Sequence, residues 1–171
     1  MLCITLVIGL ATQTNADSGT ETAGDVLQIV LPALAFGMTF AYDDSPGRMQ
    51  FYKSFLSTMA TTYALKYTVK RKRPDGGDHS FPSGHTSAAF SGASFMQRRY
   101  GWIYGIPAYA AASFVGWSRY DADKHHTSDI LASAAIATAF TYIFTTPYES
   151  EVQFIPYIDR DTCSLAVQFS F

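Results

Sequence analysis

Residues Phe81–Arg99 read FPSGHTSAAFSGASFMQRR. A loop through Phe81-Pro82-Ser83-Gly84 opens there into a helix of small residues from about His85 to Arg99. Tyr100-Gly101 then turns the chain into an apolar segment, Trp102 to Ser118, that reads as a further helix. An antiparallel helix pair of this kind returns the chain to the level at which it started, so the residues after Ser118 must lie close to the Ser83 turn.

The same reading extends in both directions. Upstream, a polar stretch Asp17–Asp25 precedes an apolar segment Val26–Tyr42, which reads as a first helix and ends at the turn Asp43-Asp44-Ser45-Pro46-Gly47. A second helix is expected from Met49 to about Lys72, where Pro74-Asp75-Gly76-Gly77-Asp78 breaks it. Downstream, a charged connection Arg119–Lys124 leads to a fifth helix from about Thr127 to Thr145. The expected fold is all-α, a bundle of about five core helices over residues 17–146. In the tail, residues 147–171, Val152, Phe154 and Pro156 alternate with polar neighbours. Leu165, Val167, Phe169 and Phe171 do the same, so a short C-terminal β-hairpin is expected, able to pack on the bundle or pair with another copy.

The chain has 171 residues, 48% of them hydrophobic, enough for one domain with one core. A formal net charge of −2 gives no reason to expect nucleic-acid binding. Leu2–Ala11 followed by Thr14-Asn15-Ala16 reads as the apolar region and cleavage site of a signal peptide over residues 1–16, hence export. With Cys3 removed by that cleavage, Cys163 is left without an intramolecular disulfide partner. Apolar stretches of roughly 17 residues stand at the short end of what spans a bilayer, and a mean hydropathy barely above zero suits a buried soluble bundle about as well.

Three clusters carry chemistry. Lys66, Lys70 and Arg73 stand at i, i+4 and i+7, a spacing that would put three cations on one helical face. Pro82-Ser83-Gly84-His85 offers a small hydroxyl and unpaired backbone N–H groups at a helix start, where an anion can be held. Arg119, His125 and Asp129 follow, and the four-residue step from His125 to Asp129 lets a carboxylate fix an imidazole tautomer while the other ring nitrogen stays free to attack. His126 competes for that role, but its i+4 neighbour is Ile130. Each cluster alone has a plainer reading, as a solvated basic patch, an ordinary helix cap or a structural His–Asp pair. Their order along the chain and their convergence at one end of the bundle favour a common site. A zinc site built from His79, His85, His125, His126, Asp121 and Asp123 lacks compact ligand spacing and leaves the arginines without a purpose.

Lys66 with six residues to Arg73-Pro74, then Pro82-Ser83-Gly84-His85, then Ser118-Arg119 with five residues to His125 and three to Asp129, resembles the three-part signature of the type 2 phosphatidic acid phosphatase (PAP2) family. That family shares its fold with vanadium haloperoxidases and bacterial nonspecific acid phosphatases. The match covers about Met49 to Thr145. The resemblance implies His125 as the nucleophile, Asp129 as its orienter and His85 as the acid for the leaving alcohol. It implies Lys66, Arg73, Ser83, Gly84 and Arg119 as phosphate binders, with no metal or cofactor required.

It also implies a phosphorylated lipid as substrate, either a monoester or a diphosphate, with the protein at the cell membrane. The site would face the periplasm, opposite the loops that hold Arg48 and Arg98-Arg99; the Lys70–Arg73 run opposes that orientation unless it belongs to the site. Three alternatives are a soluble periplasmic acid phosphatase, a vanadium haloperoxidase and a non-catalytic lipid-headgroup binder. The last would need neither His125 with Asp129 nor His85.

Overall fold

Helices α1 (Ala16–Ala41), α2 (Ser45–Val69), α3 (Gly84–Tyr100), α4 (Trp102–Asp121) and α5 (Thr127–Phe144) follow one another along the chain. They are seen in a computed structural model that describes residues 16–148, 152–159 and 162–169, with side chains over 19–148. The expected signal peptide falls almost wholly on residues 1–15, outside the described residues.

α3 is the axis of the bundle and packs against each of the other four helices. Its sequence allows this because Ala88, Ala89, Ser91, Gly92, Ala93 and Ser94 are all buried and small. A Cβ on Gly92 would lie 2.6 Å from the backbone of Leu31 and Pro32, so α1 crosses α3 backbone to backbone at this point. Phe51 of α2 meets Phe95 of α3 edge-to-face at 5.0 Å and fills the wider part of the core.

Much of the interior is hydroxyl rather than hydrocarbon. Ser54, Thr58, Thr62, Ser87, Ser94, Ser133 and Thr141 are buried. Their hydroxyls are bonded either to their own helix, as Thr58 to the Ser54 carbonyl at 2.8 Å, or across helices, as Thr62 with Ser87 and Ser94 with Thr141, both at 2.8 Å. Many large apolar side chains face outward: Ile29 is 65% exposed, Ile143 68% and Ile103 79%. Gly19–Ala41 and Thr127–Phe144 are each long and apolar enough to cross a membrane.

At the end of the bundle where α3 finishes, Arg99 is buried against Asp44, with Nη2 on Oδ1 at 2.6 Å and Nε on Oδ2 at 2.7 Å. Arg99 Nη1 also donates to the carbonyls of Thr146 and Pro147, both at 2.9 Å. One guanidinium thus ties the α1–α2 turn, α3 and the segment after α5 together, leaving the opposite end for the site.

Three expectations need correction here. The polar stretch Asp17–Asp25 is helical, so α1 begins at Ala16 rather than near Val26. α2 ends at Val69, with Lys70 in the left-handed conformation (φ 48°), so Lys66, Lys70 and Arg73 do not share a helical face. The fold class also changes at the C-terminus: the folded domain is all-helical, five helices without a strand, and the expected hairpin is not an element of it. Residues 152–159 and 162–169 pair only with each other, Val152 opposite Phe169 through Asp159 opposite Thr162. Among the described residues neither strand packs against the bundle as a helix does. Two strands alone bury too little to form part of a core.

Gly92→Ala should lower unfolding stability by about 1–3 kcal/mol, because the added methyl meets backbone that cannot move aside. Denaturant titration in detergent checks this; wild-type stability would show that α1 and α3 do not pack at that distance.

Candidate active site

A cavity of about 430 Å³ opens at the free end of the bundle, lined by Glu21, Asp25, Tyr63, Lys66, Arg73, Gly84, His85, Arg119, Lys124 and His125. Every helix except α5 contributes a lining residue, and two connections supply the rest. The 70–83 segment folds on itself, Arg73 N to Gly77 O at 2.7 Å and Ser80 N to Arg71 O at 2.8 Å, and this brings Arg73 back to the level of Lys66. The 122–126 segment caps α4: Lys124 N and His125 N both donate to the Arg119 carbonyl, at 3.0 and 3.2 Å. The two connections are joined by Asp75 N to Asp123 O at 3.1 Å and by Lys124 Nζ to Asp75 Oδ2 at 3.2 Å.

Lys66, Arg73, Gly84, His85, Arg119 and His125 are therefore gathered around one space, although they arise from separate parts of the chain. Ser83 is not brought to it. Its hydroxyl is buried as the N-cap of α3, accepting from Thr86 N at 3.4 Å and Thr86 Oγ1 at 3.1 Å. Gly84 presents the start of α3 to the cavity in its place.

Asp129, in the first turn of α5, is wholly buried beneath His125. Its Oδ1 accepts from Arg71 Nη1 at 2.9 Å, and its Oδ2 from Ser80 Oγ at 2.5 Å and from the backbone N–H of His126 at 3.0 Å. His126 Nδ1 stands 3.3 Å from the same oxygen and His125 Nδ1 3.8 Å. The expectation that His126 lacks a carboxylate partner is thus overturned. His126 is the N-cap of α5, where a side chain reaches i+3 rather than i+4. His126 does not line the cavity, whereas His125 does.

His125 Nδ1 is buried and has no hydrogen-bond partner among the described residues. Burial, then the charges of Lys66 and Arg73, push this imidazole down to about 4, outweighing the pull of Asp129. It is neutral at physiological pH. His85 is held below the ordinary imidazole range, first by burial and then by the Arg119 guanidinium, with Asp25 opposing both. A neutral imidazole over a buried carboxylate, a second imidazole and four cationic side chains can hold an oxyanion beside groups chemically able to act as nucleophile and acid–base.

Two partners were not visible in the sequence as site residues. Arg71 belongs to the basic run Lys70–Arg73 and is the cation that neutralises Asp129. Asp25, with Glu21 one turn before it, comes from the polar stretch that was expected to precede the first helix. Their four-residue spacing is a signal only once that stretch is known to be helical.

Comparison with known proteins identifies the family. The model of the PAP2 superfamily matches residues 75–151. A lipid A 4'-phosphatase of Helicobacter pylori (strain J99) is 32% identical over 141 residues, covering 75% of this chain and 71% of that protein. A lipid A 1-phosphatase of Porphyromonas gingivalis is 44% identical over 78 residues, 43% of this chain and 17% of that protein. The crystal structure of Aquifex aeolicus LpxE superposes with a TM-score of 0.66 at 17% identity, covering 78% of this chain and 87% of that one, which shows the shared fold. The chain belongs to the PAP2 superfamily.

Arg71→Ala should cost about 1.5–3 kcal/mol of stability, since it removes a charged hydrogen bond from a buried carboxylate and leaves that charge behind. Thermal unfolding of the variant beside wild type checks it; no change would show that Ser80 and His126 suffice to hold Asp129.

Proposed function

We propose that this protein is a phosphatase acting on a phosphorylated lipid, with His125 as a nucleophile that carries the phosphoryl group between substrate and water. The observation that carries the reading is the state of His125. It is a buried, neutral imidazole whose Nδ1 faces a buried carboxylate and which lines a cavity with Lys66, Arg73 and Arg119. Binding an anion would require the cations only; the imidazole pair adds nucleophile and acid.

In the first step His125 Nε2 attacks phosphorus, a P–N bond forms, and the bond from phosphorus to the leaving oxygen breaks. His85 gives that oxygen its proton. Lys66, Arg73, Arg119 and the start of α3 at Gly84 offset the charge that gathers on the phosphoryl oxygens. Asp129 holds Nδ1–H, so that Nε2 carries the lone pair; a gap of 3.8 Å closes with substrate in place, as catalytic hydrogen bonds tighten in the bound complex. In the second step water gives a proton to His85 and attacks phosphorus, the P–N bond breaks, and inorganic phosphate leaves with His125 restored. Three fixed cations supply the charge stabilisation that this transfer needs.

The lipid part of the reading rests on the relatives, named as lipid A phosphatases, and on the outward face of the helices. Val26, Ile29, Tyr63, Tyr67 and Trp117 are large, apolar and exposed on the helices that carry the site. Such a surface suits a bilayer and an acyl chain better than water. The bundle would then sit with its site end toward the exported side and with Arg48 and Arg98 at the other end. A soluble acid phosphatase would keep the chemistry but would not present this face.

Phosphate release from a phosphorylated lipid in mixed micelles should persist in excess EDTA, be inhibited by vanadate, and fall at least about 1,000-fold in His125→Ala. Because an imidazole titrating near pH 4 attacks only when neutral, kcat/KM should fall on the acid side only as pH drops toward about 4, while the loss on the alkaline side is set by deprotonation of His85, which is held below the ordinary imidazole range. Turnover abolished by EDTA, or retained by His125→Ala, would overturn the proposal.

A further inference from the structure

Asp25 is not part of the three-part signature, yet it makes two close polar contacts in the cavity. Its Oδ1 is 2.8 Å from Arg119 Nη1 and 2.9 Å from His85 Nε2, so one carboxylate oxygen bridges two groups that come from α4 and α3. The carbonyl of Glu21, one turn earlier on α1, accepts from Arg119 Nη2 at 2.6 Å. The Arg119 side chain is only 3% exposed. Ser118 Oγ takes Nε at 3.3 Å, so each nitrogen of the guanidinium has a partner, and two of the three partners belong to α1.

This contact is built into the helix packing. A Cβ on Gly24 would stand 2.1 Å from Ser118 Oγ and 2.9 Å from Arg119 Nη2. Glycine at that position is what lets α1 approach α4 closely enough for Asp25 to reach between Arg119 and His85. A guanidinium with this little exposure needs a counter-charge, and a carboxylate at 2.9 Å favours the protonated imidazole that an acid requires.

We infer that Asp25 is a positioning residue for the reaction: it holds His85 by Nε2, so that Nδ1 meets the leaving oxygen as the proton donor, while Arg119 is held as well by the Glu21 carbonyl and Ser118 Oγ. This rests on the phosphatase reading given above. It adds that α1, which carries none of the signature, forms a working wall of the site. The other charged groups around His85 are Lys66, Arg73, Arg119, Lys124 and Glu21; Asp25 is the carboxylate bonded to the ring.

The test compares two substrates that differ in how much they need an acid. An alkyl phosphate leaves as a strongly basic alkoxide and depends on the proton; nitrophenyl phosphate leaves as a stable anion and hardly does. In Asp25→Asn, kcat/KM for a short-chain alkyl phosphate should fall about 10-fold or more, while that for nitrophenyl phosphate stays within about 3-fold of wild type. Asp25→Glu should recover part of the alkyl activity. Retained turnover of the aryl substrate shows in the same sample that the variant is folded. An equal loss on both substrates, with Asp25→Glu no better, would reduce Asp25 to a structural contact and overturn the inference while leaving the phosphatase reading intact. Absence of phosphate release by wild type from both substrates and from a phosphorylated lipid in mixed micelles would overturn that reading and the inference together.

Discussion

Asp129 is taken wholly out of water, and a carboxylate in that position must be met by donors. The donors it finds are the reason the site exists in one geometry. Arg71 and Ser80 come from the segment that also carries Arg73, and the His126 backbone comes from the connection that also carries His125. Satisfying one buried charge therefore fixes Arg73 and the imidazole of His125 relative to each other. The segment after α2 and the first turn of α5 are joined through the same carboxylate. Breaking this cluster would leave a buried charge without compensation, so the 70–83 segment is held although most of it is irregular backbone.

The bundle supplies the frame for that cluster by an unusual choice of core. Alanine, glycine, serine and threonine make up much of the interior of α3 and its neighbours, and many bulky side chains are turned outward. Small residues let helices approach to backbone contact, as α1 and α3 do at Gly92, and α1 and α4 at Gly24. The second of these approaches delivers Asp25 to the site. In this fold, packing and chemistry are set by the same glycine.

Much of the site was legible in the sequence because its residues carry chemistry at fixed spacings. Lys66, Arg73, Gly84, His85, Arg119 and His125 meet at one end of the helical bundle, as their order along the chain suggested, whereas Ser83 does not reach the cavity. What was not legible depended on backbone conformation or on distant packing. The left-handed turn at Lys70 ends α2 early and replaces an expected helical face with a loop. Residues Asp17–Asp25 are polar, which resembles a linker, yet polar residues at a helix start can be the face turned toward a charged cavity. The position of Ser83 as a cap and the i+3 reach of His126 are rotamer choices that spacing alone does not decide. The C-terminal alternation suggested a hairpin as part of the fold, but a pattern does not state whether a core receives it, and the folded domain is all-helical.

The central claim is that His125 takes the phosphoryl group in a cavity whose charges come from several elements at once. Rapid quenching of turnover under basic conditions, where a phosphoramidate survives, followed by mass-spectrometric location of the adduct, tests it most directly. The account predicts an acid-labile phosphoryl group on His125 that forms and decays within the catalytic cycle. A phosphoryl group on His126 or His85, or turnover with no covalent adduct at all, would contradict it.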